Sequence, residues 1–129
     1  MPIHLNLDVG HLDLTSPDPA DSDPYAWIRE LGSCCKVLHL QQTDIKSSPH
    51  WPFTAENNAR GLIEADRVLA TVEATGVAEI YLIMELFFKP YGDTDRSVLS
   101  ALKESVDYWR QALDERNQGQ EKRVVDGQV

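Results

Sequence analysis

The sequence predicts an α/β fold built on a parallel sheet. Short apolar runs alternate with helical patterns three times along the chain, which is the signature of βα units. No segment of about 20–50 residues repeats. The 129 residues, 42% hydrophobic and 26% charged, suffice for one core but not for two full domains.

The first strand covers about Ile3 to Asp8. Ile3, Leu5 and Leu7 share one face; His4, Asn6 and Asp8 share the other. Pro17, Pro19 and a run of Asp and Ser make residues 12–23 a loop. Asp23-Pro24 is an N-cap with proline at the first helical position. That helix runs to Leu31, with Trp27, Ile28 and Leu31 as its buried stripe and Gly32 at its C′ position. The second strand covers about Lys36 to Gln41, with Leu38 and Leu40 on one face and Val37, His39 and Gln41 on the other. A long loop follows, through Ser47, Ser48, Pro49 and Pro52. Thr54 caps a short turn over residues 55–60. The next helix covers about Glu64 to Thr75, with Val68, Leu69 and Val72 inside and Gly76 ending it. The third strand runs from about Glu79 to Leu86, where Ile80, Leu82, Met84 and Leu86 alternate with Tyr81, Ile83 and Glu85. The last helix spans about Thr94 to Arg116. Its stripe of Val98, Leu102, Val106, Trp109 and Leu113 reads as core packing. A polar, flexible tail is expected over 117–129.

The charge narrows the function. Twelve Lys and Arg against 21 Asp and Glu leave −9, with a pI near 4.7. Nucleic-acid binding needs clustered cations on phosphate, so no nucleic-acid partner is expected. Docking on an anionic membrane is excluded in the same way. No apolar run reaches the roughly 18–20 residues of a membrane span, and no signal peptide is expected over residues 1–12. The two cysteines, Cys34 and Cys35, are adjacent. Neighbours close a relaxed disulfide poorly, so both read as reduced thiols of a cytoplasmic protein. A thiolate metal pair fits less well, since zinc sites space their thiols by about two to four residues.

Ligands of parallel α/β folds bind beyond the carboxyl ends of the strands. The three strands end near Asp8, His39–Gln41 and Glu85, all on the face opposite the aliphatic one. Two carboxylates and an imidazole suit a divalent cation such as Mn²⁺, Mg²⁺, Co²⁺ or Zn²⁺. Each residue also has a plain structural reading. Asp8 could bond the amides where its strand breaks at Gly10, and His39 could be a core histidine. Glu85 resists such a reading, because a carboxylate inside the apolar run 80–88 is costly unless paired. His11 is either a hydrogen-bond partner for a substrate oxygen or an exposed loop histidine. Gln41, Gln42, Thr43 and Asp44 supply donors and acceptors suited to hydroxyl groups. His50 and Trp51 share their loop, and Trp51 equally reads as a pin for a proline-flanked segment. His4 reads as packing.

These residues carry a resemblance. Leu5-Asn6-Leu7-Asp8-Val9-Gly10-His11, Val37-Leu38-His39-Leu40-Gln41-Gln42-Thr43-Asp44 and His50-Trp51-Pro52-Phe53-Thr54 resemble stretches of the xylose isomerase-like sugar-phosphate isomerases and epimerases. Ile83-Met84-Glu85-Leu86 and Ser105-Val106-Asp107-Tyr108-Trp109-Arg110 follow in the same order. Within that superfamily the likeness points to the tetrulose-phosphate (erythrulose-phosphate) 3-epimerases and runs from about Pro2 to Leu113.

The resemblance implies a partial (β/α)₈ TIM barrel, with residues 1–116 as its last three βα units. It implies a divalent metal held by Asp8, His39 and Glu85. Glu85 would also be the catalytic acid–base residue, and His11 would contact substrate. Gln41 and His50 stand beside it as substrate-binding candidates. The reaction implied is proton transfer beside a ketose carbonyl, through an enediolate. A barrel of this kind takes roughly 250 residues, and the family's fifth-strand glutamate has no counterpart here. The expectation is therefore part of a longer enzyme, associating with itself or with an N-terminal barrel half to cover its open edges. The alternative is a non-catalytic barrel fragment or partner subunit that folds only in an assembly. The related apurinic endonucleases fit less well, given the charge and the lack of an Asp-x-His pair after the second strand.

Overall fold

A computed structural model of the chain describes residues 1–44, 46–90 and 92–127. Strands β1 (Leu5–Asp8), β2 (Cys35–Leu40) and β3 (Tyr81–Met84) form one parallel sheet in the order β1-β2-β3. Helix α1 (Pro24–Leu31) lies between β1 and β2, helices α2 (Ala55–Asn58) and α3 (Ala65–Ala74) lie between β2 and β3, and α4 (Asp95–Asp126) follows β3. The alternation expected from the sequence is present, with some ends moved. β1 starts at Leu5 rather than Ile3, because Leu5 already faces Cys35, the first residue of β2. Ile3 and His4 have no strand beside them and are exposed. In register, Asp8 lies beside His39 and His39 beside Ile83.

The core lies on one side of the sheet. Leu38 and Leu40 of β2 join Ile28 of α1, Val68 of α3, Trp109 of α4 and the loop residues Phe53 and Ile63 in a single cluster. In α1, the Asp23 carboxylate accepts from Tyr25 N–H, as the Asp-Pro signal predicts. The buried face is Pro24, Tyr25 and Ile28; Trp27 and Leu31 are only half-buried. Trp27 instead donates its indole N–H to the carbonyl of Asp21, in a 3₁₀ turn (Pro19–Ser22) that the loop assignment missed. Gly32 has right-handed φ of −59°, and the chain passes on into a second 3₁₀ turn. Its lack of a side chain is a matter of room, since a Cβ would sit 2.8 Å from Thr75 Cγ2. Gly76, at φ +73°, does take the left-handed position that ends α3.

The expected stripe of α4 needs correcting. Trp109 is buried, but Leu102 and Leu113 are 37% and 38% exposed, and Ser105 and Ala112 make the close contacts. Ser105 Oγ accepts from Phe53 N–H and Tyr108 Oη from Ala65 N–H, which pins the helix to two loops. The helix also runs past Arg116 to Asp126. Gln118, Gln120, Glu121, Lys122 and Arg123 in that stretch are good helix formers. Arg116 and Gln120 both bond to Glu73 of α3. The Arg116 guanidinium, ahead of all other causes, holds the Glu73 carboxyl below the usual carboxylate range. Glu73 is half-exposed, so Arg116→Ala is expected to cost at most about 1 kcal/mol at pH 7. A lowered folded pKa stabilises above the unfolded value and is lost as pH falls through the folded one. The difference between wild type and variant in urea melts should therefore persist at pH 4.5 and close only below it.

The other side of the sheet is uncovered. Val37 and His39 of β2 face it, as do Tyr81 and Ile83 of β3, which are 56% and 46% exposed. Among the described residues, no helix is long and apolar enough to cross a membrane. Cys34 and Cys35 are free thiols, the first exposed and the second buried.

Candidate functional site

The carboxyl ends of the strands converge on the uncovered side. Asp8 ends β1, His39 sits near the end of β2, and Glu85 follows β3 with its N–H still bonded to Leu40 O at 2.9 Å. Their ligand atoms lie within 4.8 Å of one another. His39 Nδ1 is 3.0 Å from Glu85 Oε2 and 4.0 Å from Asp8 Oδ2. Asp8 Oδ1 accepts from Gly10 N–H at 2.7 Å and from Gln41 Nε2 at 3.0 Å. Asp8 Oδ2 is buried and has no hydrogen-bond partner among the described residues.

Glu85 feels opposing influences. Its carboxyl is held below the usual range, first by hydrogen bonding with the Asp8 carboxyl and then by the His39 and His50 rings, against the opposing pull of burial. Two carboxylates can share a hydrogen bond only when one carries a proton, so with both ionised Asp8 Oδ2 lacks a donor. A buried carboxylate oxygen without a donor is costly, and a cation relieves that cost. The donor set therefore fits a divalent metal.

A second cluster adjoins the first. His11 Nε2 lies 3.0 Å from His50 Nε2, and Asp8 is within reach of both rings. His50 is 4% exposed and heavily held. Its Nδ1 donates to Ser48 O at 2.8 Å, which leaves Nε2 as an acceptor. Its backbone N–H donates to Gln41 Oε1, its carbonyl accepts from Phe87 N–H, and its ring stacks on Phe87 at 4.0 Å. It is the one non-glycine residue of positive φ, 52°, among those described, a costly conformation for a side chain of its size.

The sequence-derived candidates are thus gathered at one rim, but they differ in exposure. His11 is exposed. Gln41 is fully buried, with its amide spent on Asp8, His50 and Ser48. Gln42 and Thr43 are also fully buried. Gln42 spans two loops and bonds to Asn58, Ile63 and Thr43. Trp51 carries the Arg60 guanidinium 4.1 Å above its ring, and its backbone pairs with Gln42. Asn6 and Phe87 received no role in the sequence reading. Asn6 Nδ2 lies 3.2 Å from His39 Nε2, and strand parity puts residue 6 on the face of Asp8. That parity is the signal that could have found it.

A parallel sheet, helices on one side and a carboxylate–imidazole cluster beyond the strand ends define the wall of an α/β barrel with a candidate ligand site at the rim. Comparison with known proteins agrees. No family model matches the chain. It is 34% identical over 114 residues to D-erythrulose 1-phosphate 3-epimerase of Brucella abortus (strain 2308), covering 88% of this chain and 37% of that one. It superposes with TM-score 0.68 on a crystal structure from Rhodospirillum rubrum assigned as a xylose isomerase, at 24% identity, covering 86% of this chain and 36% of the other. That likeness carries the fold alone: the three βα units form part of a TIM barrel. Sequence and fold together make the chain similar to part of a xylose isomerase-like epimerase. It spans just over a third of the length of the curated relative it matches.

Proposed function

We propose that these residues form the metal-binding side of a sugar-phosphate epimerase of the tetrulose-phosphate 3-epimerase type. The observation that carries this is the convergence of Asp8, His39 and Glu85, with Asp8 Oδ2 buried and undonated, in a chain 34% identical to an erythrulose-phosphate epimerase. Asp8 Oδ2, His39 Nδ1 and Glu85 would hold a divalent cation. Such a cation supplies Lewis-acid stabilisation of negative charge on a ketose carbonyl oxygen.

The chain's own residues account for one half of the proton transfer. The Glu85 carboxylate takes the proton from the carbon beside the carbonyl. The C–H electron pair moves into the enediolate, and a proton returned on the opposite face inverts the centre. His11, the exposed imidazole of the rim, binds a substrate hydroxyl. Gln41 and His50 stand behind it and orient Asp8 and His11. The acid for the opposite face comes from a polypeptide that supplies the remaining βα units and covers Tyr81 and Ile83.

Calorimetric titration with Mn²⁺ and Co²⁺ tests the site. Wild type is expected to bind, with Glu85→Gln weakened by about 100-fold or more. A ligand at about 100 times its Kd adds about 2.7 kcal/mol and raises the melting temperature by several degrees. Absence of binding, or an unaffected Glu85→Gln, overturns the proposal. The 129 residues alone are expected not to epimerise a tetrulose phosphate, and turnover by them would overturn the division into halves.

A further inference from the structure

His39 has two ring nitrogens, and only one serves the cluster. Nδ1 faces Glu85 at 3.0 Å and Asp8 at 4.0 Å; Nε2 faces the Asn6 amide at 3.2 Å. A neutral imidazole offers a lone pair at Nδ1 only when its proton sits on Nε2. That Nε2–H then needs an acceptor. In the rotamer shown, Asn6 turns its donor end, Nδ2, to the ring. The ring proton then sits on Nδ1, facing the Glu85 carboxylate. This arrangement satisfies both groups but withholds Nδ1 from a cation. A half-turn of the amide brings Oδ1 to Nε2, moves the proton there and frees Nδ1. Asn6 is exposed, which leaves room for the turn.

We propose that Asn6 is the positioning residue of the cation site, its amide turning over so that Oδ1 accepts the His39 Nε2–H and commits Nδ1 to the metal. The proposal rests on Asp8, His39 and Glu85 being that site. Asn6 carries no charge, so its effect passes through the ring tautomer and not through attraction of the cation. Ligating histidines commonly need such a partner, whose loss weakens metal binding by about 10–100-fold.

The test combines Zn²⁺ calorimetry with ¹⁵N NMR of the His39 ring on the full chain, using Asn6→Ala and Asn6→Asp. Wild type is expected to show Nε2 protonated and Nδ1 ligated in the Zn²⁺ form. Asn6→Ala should lose about 10–100-fold in affinity while its metal-free melt stays unchanged. Asn6→Asp keeps an acceptor and has no donor, so it should hold the Nε2–H and bind at least as tightly as wild type. An added charge alone would raise affinity without fixing the tautomer, which the ring spectrum separates. Unchanged Zn²⁺ affinity in Asn6→Ala, or Zn²⁺ on Nε2 in wild type, overturns the proposal. If wild type binds no Zn²⁺, the underlying site reading has failed, and that shows before any variant is made.

Discussion

Replacing Gln42 by alanine is expected to destabilise the fold by about 3–4 kcal/mol, more than any surface change. Gln42 is fully buried and uses its whole amide. Oε1 accepts from Thr43 and Ile63 N–H at 3.1 and 2.9 Å, and Nε2 donates to Asn58 Oδ1 and Ile63 O at 3.0 and 2.9 Å. Truncation leaves those groups without partners, at roughly 1–3 kcal/mol for each that water does not reach. Gln42→Met separates packing from hydrogen bonding. It keeps the volume, and a packing role would tolerate it at under about 1.5 kcal/mol. In urea melts Gln42→Met should fall nearly as far as Gln42→Ala. A Met variant within about 1 kcal/mol of wild type would sink the argument.

The same pair of glutamines shows what the sequence could and could not disclose. Strand parity located Asp8, His39 and Glu85 on one face, because period-two alternation survives any error in strand ends. It misplaced the ends of β1 and β3 by two residues, because pairing depends on where the neighbouring strand begins. Gln41 and Gln42 looked like hydroxyl-binding groups, since polar residues beyond a strand end usually face solvent. Both are buried instead, each against a glycine distant in sequence. Gly10 leaves space for Gln41, and Gly61 leaves space for Gln42. Such pairings are tertiary facts, invisible to composition and period. Asn6 went unassigned because its partner nitrogen lies on the next strand. The stripe of α4 misled for a related reason. Helical spacing states which residues share a face, while the number of neighbours available to cover that face depends on the sheet's extent. Here the flank carrying Leu102 and Leu113 stays partly exposed.

Gly10→Ala is expected to cost metal affinity about 100-fold without touching a ligand. A Cβ at position 10 would lie 2.2 Å from Gln41 Cδ and 2.5 Å from its Oε1. No relaxed pair of atoms approaches so closely, so the Gln41 side chain must leave. It is fully buried, and its departure breaks its bonds to Asp8 Oδ1 and to the backbone N–H of His50. Asp8 loses one of the two donors that turn Oδ2 toward His39, and His50 loses a bond that holds its left-handed backbone. The ligand cluster is then no longer preorganised, and affinity falls by the amount that loss of an orienting partner typically brings, toward its upper end. A double-mutant cycle decides whether Gln41 is the route. If it is, Gly10→Ala combined with Gln41→Ala binds Mn²⁺ about as weakly as Gln41→Ala alone, and the clash-driven part of the Gly10→Ala stability loss disappears. Additive losses in the double variant would mean that Gly10 acts through its own backbone N–H on Asp8, and the route through Gln41 would fall.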